Sequence, residues 1–295
     1  MTKDPLYVRF LYETTPGRTL LKTLARPLFS RRTALFLDSP WSRWLIPLYI
    51  RLHRIPMDSY VPEHYRSFNH FFTRKRNCLY INPDPEPSHF ISPCDGYLSV
   101  HPITSQSRFC IKHLDYSLEK LLRDPALADR YENGLCLIFR LAPHNYHRYC
   151  YPDSGLAVKQ VSIPGLLHSV RPAALKTRPV FLENARQYTV IDSQQFGLLV
   201  QMEVGALLVG KIHNHGDRLV AERGTEKGYF EFGGSTILIL AEQGILDIDQ
   251  PILNAAILYD IDIILTGDKD FLSLDMEHPK CMTVAQFLDI ERAEL

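Results

Sequence analysis

Short apolar runs separated by turn residues fill most of the chain between residues 97 and 240. Runs of this length, bounded by glycine, proline and small polar residues, are typical of strands rather than helices. Helical patterning interrupts them only at 118–122 and 125–131. The chain is therefore predicted to have an α+β fold, with a helical N-terminal region followed by a mainly antiparallel β-sheet domain. The runs span residues 97–100, 109–112, 135–141, 156–163, 187–191, 197–204, 206–212 and 228–240.

The N-terminal region differs from the rest of the chain in pattern and in charge. Residues 6–55 are predicted to form two or three amphipathic helices, interrupted at Pro16-Gly17, Pro27 and Pro40. The chain carries no net charge overall, yet residues 1–55 hold ten Lys and Arg against three acids, and residues 242–295 hold three against twelve. The N-terminal region is therefore strongly basic and the C-terminal tail strongly acidic.

Arginines mixed with tryptophans and leucines suit the surface of an anionic bilayer. One alternative is a basic helical layer packed on the rest of the protein. Nucleic-acid binding is a third interpretation, but the sequence has no motif that reads bases. The bilayer interpretation is the one we carry forward.

The cysteine spacing and the N-terminal sequence indicate the cellular compartment of the protein. The six cysteines show neither a CxxC nor a zinc-type spacing, which favours reduced thiols in the cytoplasm and predicts no metal site. The N-terminus lacks the apolar core of a signal peptide, and no run of 18 uncharged apolar residues occurs. A soluble or peripheral membrane protein is expected.

The tetrapeptide Gly233-Gly234-Ser235-Thr236 lies between the runs 229–232 and 237–240. A glycine pair between two strand-like runs is the ordinary sign of a tight turn or bulge. The same tetrapeptide also places the Ser235 hydroxyl directly after the unshielded carbonyl of Gly234. A backbone break at this point would turn Ser235 into a new chain terminus.

Five sequence blocks occur in an order and spacing that resemble the phosphatidylserine decarboxylases. The resemblance implies that Ser235 attacks the Gly234 carbonyl, that the chain splits into residues 1–234 and 235–295, and that Ser235 becomes a covalent pyruvoyl cofactor. It also implies conversion of phosphatidylserine to phosphatidylethanolamine and carbon dioxide at the cytoplasmic face of the cell membrane. The implied partners are phosphatidylserine in an anionic membrane and the two chains for each other, with no nucleic acid expected. The blocks span residues 67–75, 92–96, 141–148, 204–210 and 226–236.

The resemblance also implies roles for individual residues. Asp95 matches the acidic member of an Asp-His-Ser relay, in which a carboxylate orients an imidazole. Asp-Gly after a proline is otherwise an ordinary turn signal. His147 matches the histidine of the decarboxylation step and is expected to supply a proton. His213 is a weaker candidate for the wall of the pocket.

At residue 150 the sequence departs from the family pattern. The family usually has a second histidine there, the relay base for self-cleavage, where this chain has Cys150. A thiol with an ordinary pKa is only a few per cent thiolate at neutral pH, although Arg148 could lower that pKa. Cys150 could still accept the proton, or His144 or His147 could replace it. The alternative function is a catalytically impaired, lipid-binding relic.

The tail after residue 248 departs from the family pattern as well. It resembles the last third of a PIN-type ribonuclease domain, in which Asp249, Asp268 and Asp270 match late members of a metal-binding carboxylate set. The first acidic strand of such a domain is missing, so nuclease activity is not expected; residues 268–270 could equally be a solvated turn. The predicted domains are a membrane-associating helical region (1–66), a catalytic domain (67–248) and a divergent tail (249–295).

Overall fold

The computed structural model describes residues 5–77, 84–208, 211–216, 219–246, 263–265 and 280–282. Nine α-helices are found in these ranges, together with short 3-10 helices at Pro40–Trp44 and Met57–Ser59. The helices are α1 (Leu6–Glu13), α2 (Thr15–Leu24), α3 (Pro27–Asp38), α4 (Leu45–His53), α5 (Phe68–Phe72), α6 (Leu118–Leu122), α7 (Pro125–Asp129), α8 (Pro172–Thr177) and α9 (Val180–Glu183).

Fourteen strands are described in the same ranges. They are β1 (Tyr97–Pro102), β2 (Arg108–Ile111), β3 (Leu114–Ser117), β4 (Leu135–Leu141), β5 (Arg148–Cys150), β6 (Gly155–Ile163), β7 (Arg186–Ser193), β8 (Leu198–Leu208), β9 (Ile212–Asn214), β10 (Val220–Ala221), β11 (Glu226–Phe230), β12 (Gly233–Ala241), β13 (Ile263–Leu265) and β14 (Lys280–Met282). The predicted α+β fold with a helical N-terminal region is confirmed.

A seven-stranded sheet forms the centre of the molecule, in the order β1-β4-β12-β8-β7-β6-β10. Each strand is antiparallel to its neighbours. Strand β12 therefore has a partner on both sides, β4 and β8, over residues 235–240. The sheet holds β12 firmly in place from both edges.

Alternate residues of β12 face two different cores, as the two-residue period of a strand requires. Leu238 and Leu240 point into a cluster that includes helices α1, α2, α6 and α8. Ile237 and Ile239 point the other way, against the three-stranded sheet β5-β11-β9. The fold thus has a helical layer, the large sheet and a small sheet, and Ser235 faces the small-sheet side with Ile237.

The first two helices are an integral part of the helical layer. Val8, Leu11 and Leu21 are buried in the same cluster as the sheet residues. The Tyr12 hydroxyl accepts a hydrogen bond from the Ser169 backbone N–H at 2.7 Å. Residues 6–25 therefore form a basic helical layer that packs on the sheet, while other side chains of the N-terminal helices stay exposed. The proposed boundary at residue 66 remains a prediction.

Most predicted strands match observed ones, and the differences have a local cause. The run 206–212 does not form a separate strand, because residues 206–208 continue β8 and residue 212 begins β9. The short strands β3, β5 and β10 and the helices α8 and α9 were not predicted. These elements have two to six residues, too few for a periodicity to be visible in sequence.

Most of the tail lies outside the described residues. Strands β13 and β14 form a parallel pair, Ile263 opposite Lys280. Asp249, Asp268 and Asp270 fall outside the described ranges. No described helix has the length and apolar character needed to cross a membrane. The resemblance of the tail to a PIN-type domain stays a prediction.

Candidate active site

Ser235 lies near the start of the central strand β12. It is opposite Leu141 of β4 and Gly205 of β8, and the register with β8 shifts between Gly233 and Ser235. Gly233 has a φ of 148°, a backbone conformation that favours glycine. The glycine pair therefore forms the bulge that its sequence indicates. Bulges commonly redirect a side chain beside an active site.

The Ser235 hydroxyl is buried without a hydrogen-bond partner among the described residues. The side chain has no exposed surface, and Oγ lacks any protein donor or acceptor; the same is true of Thr236 Oγ1 on the opposite face of the strand. An unsatisfied buried polar group costs about 1–3 kcal/mol, so such groups are uncommon and often functional. Ser235 carries such an unpaired hydroxyl directly after the glycine bulge.

Asp95 holds the loop that follows β4. Its carboxylate accepts hydrogen bonds from Asn145 Nδ2 at 2.9 Å, from the Tyr146 backbone N–H at 3.0 Å and from Arg76 Nη2 at 3.3 Å. The Asn145 Oδ1 atom in turn accepts from the Ala142 backbone N–H. These partners are an amide, a backbone N–H and a guanidinium, and none is an imidazole.

His147 follows this loop and has a defined tautomer. Its Nδ1 atom lies 2.9 Å from the Asn145 backbone carbonyl, which can only accept, so Nδ1 carries the proton. Nε2 therefore holds a free lone pair, and it is buried without a hydrogen-bond partner among the described residues. Burial lowers the pKa of His147 to about 3, with Arg74 and His144 adding to the decrease. The imidazole is neutral at physiological pH.

The segment before Ser235 contacts the loop that carries His147. The Phe230 backbone N–H donates to the His147 carbonyl at 2.9 Å, and the Phe232 N–H donates to Asn69 Oδ1 at 3.0 Å. The Phe72 ring contacts both segments. Its centroid lies 4.2 Å from the centroid of the His147 ring and 5.1 Å from that of the Phe232 ring. Asp95, His147 and the segment before Ser235 are thus linked through the loop after β4 and through the Phe72 ring.

Cys150 lies on β5 and is held through backbone and thiol alike. Its Sγ atom donates to the Ser92 carbonyl at 3.7 Å, and its own carbonyl accepts from Gln201 Nε2 at 3.1 Å. Gln201 is opposite Ile239, which is four residues, or about 13 Å of strand, beyond Ser235. Cys150 is therefore attached beside the middle of β12 rather than at its start.

Arg148, which could have lowered the pKa of Cys150, has another partner. Arg148 forms an ion pair with Glu226 at 2.6 Å, and the cation that acts on the thiol is Arg223. Burial outweighs that cation and raises the pKa of Cys150 to about 12. The thiol is consequently neutral over the whole physiological range.

The two remaining candidate histidines have other surroundings. His213 lies on β9, pairs with the Glu231 carboxylate and stacks on the Tyr229 ring with the centroids 4.8 Å apart. The His144 ring meets the Tyr97 ring edge-on at 6.4 Å. Of the three histidines, His147 is the one described with its ring against Phe72, in a tilted contact with the ring centroids 4.2 Å apart.

Sequence reasoning missed several residues that shape the site. Asn69, Phe72 and Asn145 lie inside the sequence blocks that carry the family resemblance. The blocks could have pointed to these positions, but nothing in the sequence indicates which contacts their side chains make. Lys227 and Glu203 form a fully buried ion pair of 2.8 Å between the two sheets. A lysine in a strand-like run gives no signal of such a partner, since Glu203 lies 24 residues away.

Comparisons with known proteins identify the family to which the chain belongs. Residues 68–256 match the sequence model of the phosphatidylserine decarboxylase family, which reaches eight residues beyond the predicted catalytic domain. The chain is 43% identical to phosphatidylserine decarboxylase proenzyme 2 of Clostridium acetobutylicum, over 83% of this chain and 84% of that protein. It is 36% identical to the proenzyme of Clostridium beijerinckii, over 84% and 86% of the two chains, and 40% identical to that of Chlamydia trachomatis, over 79% of each. The chain therefore belongs to the phosphatidylserine decarboxylase family.

Proposed function

We propose that this chain is the proenzyme of a pyruvoyl-dependent phosphatidylserine decarboxylase. It cleaves itself between Gly234 and Ser235, and the mature enzyme converts phosphatidylserine to phosphatidylethanolamine and carbon dioxide. The observation that carries the proposal is the buried, unpartnered Ser235 hydroxyl behind a glycine bulge on the central strand. The relatives are named as proenzymes, in agreement with a precursor that is processed. Nothing observed favours the alternative of an impaired lipid-binding relic.

Self-cleavage would proceed by attack of the Ser235 oxygen on the Gly234 carbonyl carbon. The amide C–N bond breaks, the nitrogen takes up a proton, and an ester joins the two segments. Loss of the Cα proton of residue 235 then expels the Gly234 carboxylate and leaves a dehydroalanine. Its imine tautomer takes up water and releases ammonia, which leaves a ketone at the new N-terminus. No external oxidant or reductant is needed.

The pyruvoyl group fits the place where it would form. The Ser235 side chain is buried on the side of β12 that faces the small sheet, and His147 Nε2 is an unpartnered buried atom of the adjoining loop. The group would supply an electron sink for decarboxylation of a substrate that carries an amine. His147 would take a proton at Nε2 from the incoming substrate ammonium and later deliver it to the substrate carbon, while Asp95 and Asn145 would keep its ring oriented.

The two chains produced by cleavage would stay together. Residues 235–241 pair with β4 on one edge and residues 235–240 pair with β8 on the other. Ile237, Leu238, Ile239 and Leu240 are fully buried in the two cores. Removal of this strand would open the centre of the sheet, so the small chain is expected to remain bound to residues 1–234.

The N-terminal helices provide a surface suited to an anionic bilayer. Among the described residues, eleven of nineteen exposed large apolar side chains lie before residue 53, so exposed apolar surface is concentrated there. Trp41, with 82% of its surface exposed, and Trp44 flank Arg43 on a 3-10 helix. Aromatic and basic side chains together favour the headgroup region of membranes. We place the enzyme peripherally, at the cytoplasmic face of the cell membrane.

Purified protein tests the catalytic proposal. Denaturing electrophoresis should show that the 34.0 kDa chain has split in two, and the intact mass of the 235–295 chain should be lower than that of the serine form by one ammonia. Vesicles of phosphatidylserine should yield phosphatidylethanolamine and carbon dioxide. The Ser235→Ala variant is the control and should remain whole and inactive. An unsplit wild-type chain that makes no product would refute the proposal.

Vesicle sedimentation tests the membrane surface. Binding to vesicles with anionic lipid should exceed binding to purely zwitterionic vesicles and should decrease with added salt. Replacement of Trp41 and Trp44 by serine should weaken binding at least about tenfold, since an interfacial aromatic contributes on the order of 1 kcal/mol or more. The matched control is Leu219→Ser, an exposed apolar residue outside the N-terminal helices. Equal losses in both variants would contradict the assignment.

A further inference from the structure

Two buried atoms of the site lack partners and complement each other chemically. Ser235 Oγ must lose a proton before it attacks, and His147 Nε2 has a free lone pair. The Nδ1 proton of His147 is bound to a carbonyl, so Nε2 can only be an acceptor. A hydroxyl donor and an imidazole acceptor are the pair that activates serine nucleophiles.

The chain connections bring the segments that carry these atoms together. Leu141, six residues before His147, is the ladder partner of Ser235. The His147 carbonyl binds the Phe230 N–H, five residues before Ser235. The Phe72 ring contacts the rings of both His147 and Phe232. Each end of the His147 loop is therefore tied to the strand or segment that bears the nucleophile.

The Cys150 thiol makes hydrogen bonds to other segments than His147 does. Its thiol hydrogen is directed at the Ser92 carbonyl, and its backbone is bound beside Gln201 in the middle of the strand ladder. These contacts attach it to the segment before β1 rather than to the cleavage segment. The Cys150 backbone N–H likewise donates to the Pro93 carbonyl, at 2.8 Å, in that same segment.

We infer that the His147 imidazole, and not the Cys150 thiol, is the base that deprotonates Ser235 during self-cleavage. Asp95 and Asn145 then act as positioning residues. The Asp95 carboxylate holds the Asn145 side chain, and the Asn145 backbone carbonyl holds His147 Nδ1. This inference rests on the proposed function and assigns its missing base. The same ring thus serves the processing step before it serves the decarboxylation step.

The proton balance closes on one ring. His147 Nε2 takes the Ser235 hydroxyl proton as the Oγ–C bond forms to the Gly234 carbonyl. The imidazolium gives that proton to the amide nitrogen of residue 235 as the C–N bond breaks. The products are the ester and a neutral amine, and His147 returns to its starting state.

Charges around His147 keep it neutral over the working pH range. Arg74, after α5, and His144, on the same loop, both disfavour the imidazolium, as burial does. An imidazole of such low pKa is a weak base, which suffices for an event that each chain undergoes once. For Cys150, a pKa of about 12 leaves roughly one thiolate in 10⁵ at pH 7. The two candidates therefore predict different pH dependence.

The experiment follows freshly translated chain from a cell-free reaction, chased between pH 6 and pH 9. Samples are quenched in denaturant with hydroxylamine, which splits the ester, so that the first acyl shift is timed. We expect less than about threefold change in rate across this range, because a base of pKa about 3 is already fully available. A thiolate would give about tenfold per pH unit, or about 1000-fold in total.

Variants separate the two side chains directly. His147→Gln should slow cleavage at least 100-fold, the ordinary contribution of a general base, while Cys150→Ala should cleave within threefold of wild type. The matched controls are His101→Gln on β1 and Cys110→Ala on β2, two strands that do not pair with β12, and circular dichroism checks that each variant folds. Asn145→Leu should slow cleavage while Cys150→Ala does not.

Each outcome decides the inference. A flat pH profile with an active Cys150→Ala variant supports it. A folded His147→Gln variant that cleaves within threefold of wild type overturns it. A tenfold rise in cleavage rate per pH unit overturns it. If Cys150→Ala abolishes that rise, the base is the Cys150 thiolate; if the rise remains, the base is hydroxide. Wild-type chain that never splits at any pH would instead overturn the proposed function itself.

Discussion

The buried ion pair between Lys227 and Glu203 is predicted to hold the small sheet onto the large one. Lys227 Nζ lies 2.8 Å from Glu203 Oε1, and the two side chains are 1% and 0% exposed. Asn214 accepts from the ammonium and donates to the carboxylate, both at 3.1 Å. Burial lowers the pKa of Lys227 and raises that of Glu203, while their mutual attraction opposes both shifts.

The perturbation is Lys227→Met in the uncleavable Ser235→Ala background, which keeps unfolding a single-chain reaction. The substitution leaves a buried carboxylate without its counter-ion, and breaking such a pair costs about 3–5 kcal/mol. Since whole domains are stable by about 5–15 kcal/mol, this is a large fraction of the total. Adding Glu203→Leu removes the uncompensated charge and should recover at least about half of the loss.

Urea unfolding followed by circular dichroism measures these free energies. The matched control is Lys159→Met, which breaks an exposed pair with Asp124, the two side chains being 47% and 24% exposed. That variant should lose less than about 1 kcal/mol, because exposed pairs contribute little. If Lys227→Met costs no more than the control, or if the double variant is as unstable as Lys227→Met alone, the reasoning about a buried charged pair is wrong.

Three further predictions concern the site. Asn69→Leu should slow self-cleavage by roughly tenfold or more on electrophoresis, because the Phe232 N–H loses the acceptor that positions the cleavage segment. Between pH 6.5 and pH 3 the native state binds fewer protons at His147 than the unfolded state does, so the free energy of unfolding falls as the pH falls through this window. Urea unfolding at pH 4.5 measures this loss in the Ser235→Ala chain and in the same chain with His147→Gln. The loss should be about 2–3 kcal/mol larger in the chain that keeps His147. Iodoacetamide at pH 8 should label exposed Cys110 well before Cys150 in peptide mass spectra, and equal labelling would contradict the high pKa of Cys150.

Much of the fold could be predicted because its elements follow local patterns. The run at 135–141 coincides with β4, and the helical insertion at 118–122 coincides with α6. The cleavage dipeptide and the family resemblance likewise come from contiguous blocks of residues. Short strands such as β10, with only two residues, could not be predicted, since their formation depends on a neighbouring strand rather than on their own sequence.

The roles of the site residues depended on which distant segments meet. Asp95 was expected to orient an imidazole directly, but Asn145 comes between them because the loop after β4 folds over the carboxylate. Arg148 could have lowered the pKa of Cys150, but its guanidinium pairs with Glu226 and burial raises the pKa of the thiol. Hydrogen-bond partners and burial are properties of the assembled sheets, so no pattern within one segment shows them.

The amino-acid sequence alone determined the fold class, the family resemblance and the asymmetry of charge, because each depends on residues that lie close together along the chain. The tertiary structure decided that Ser235 is buried without a partner, that His147 is neutral with Nε2 free, and that Lys227 meets Glu203. The physical reason is that pKa and hydrogen-bond satisfaction depend on desolvation and on partners brought from far along the chain.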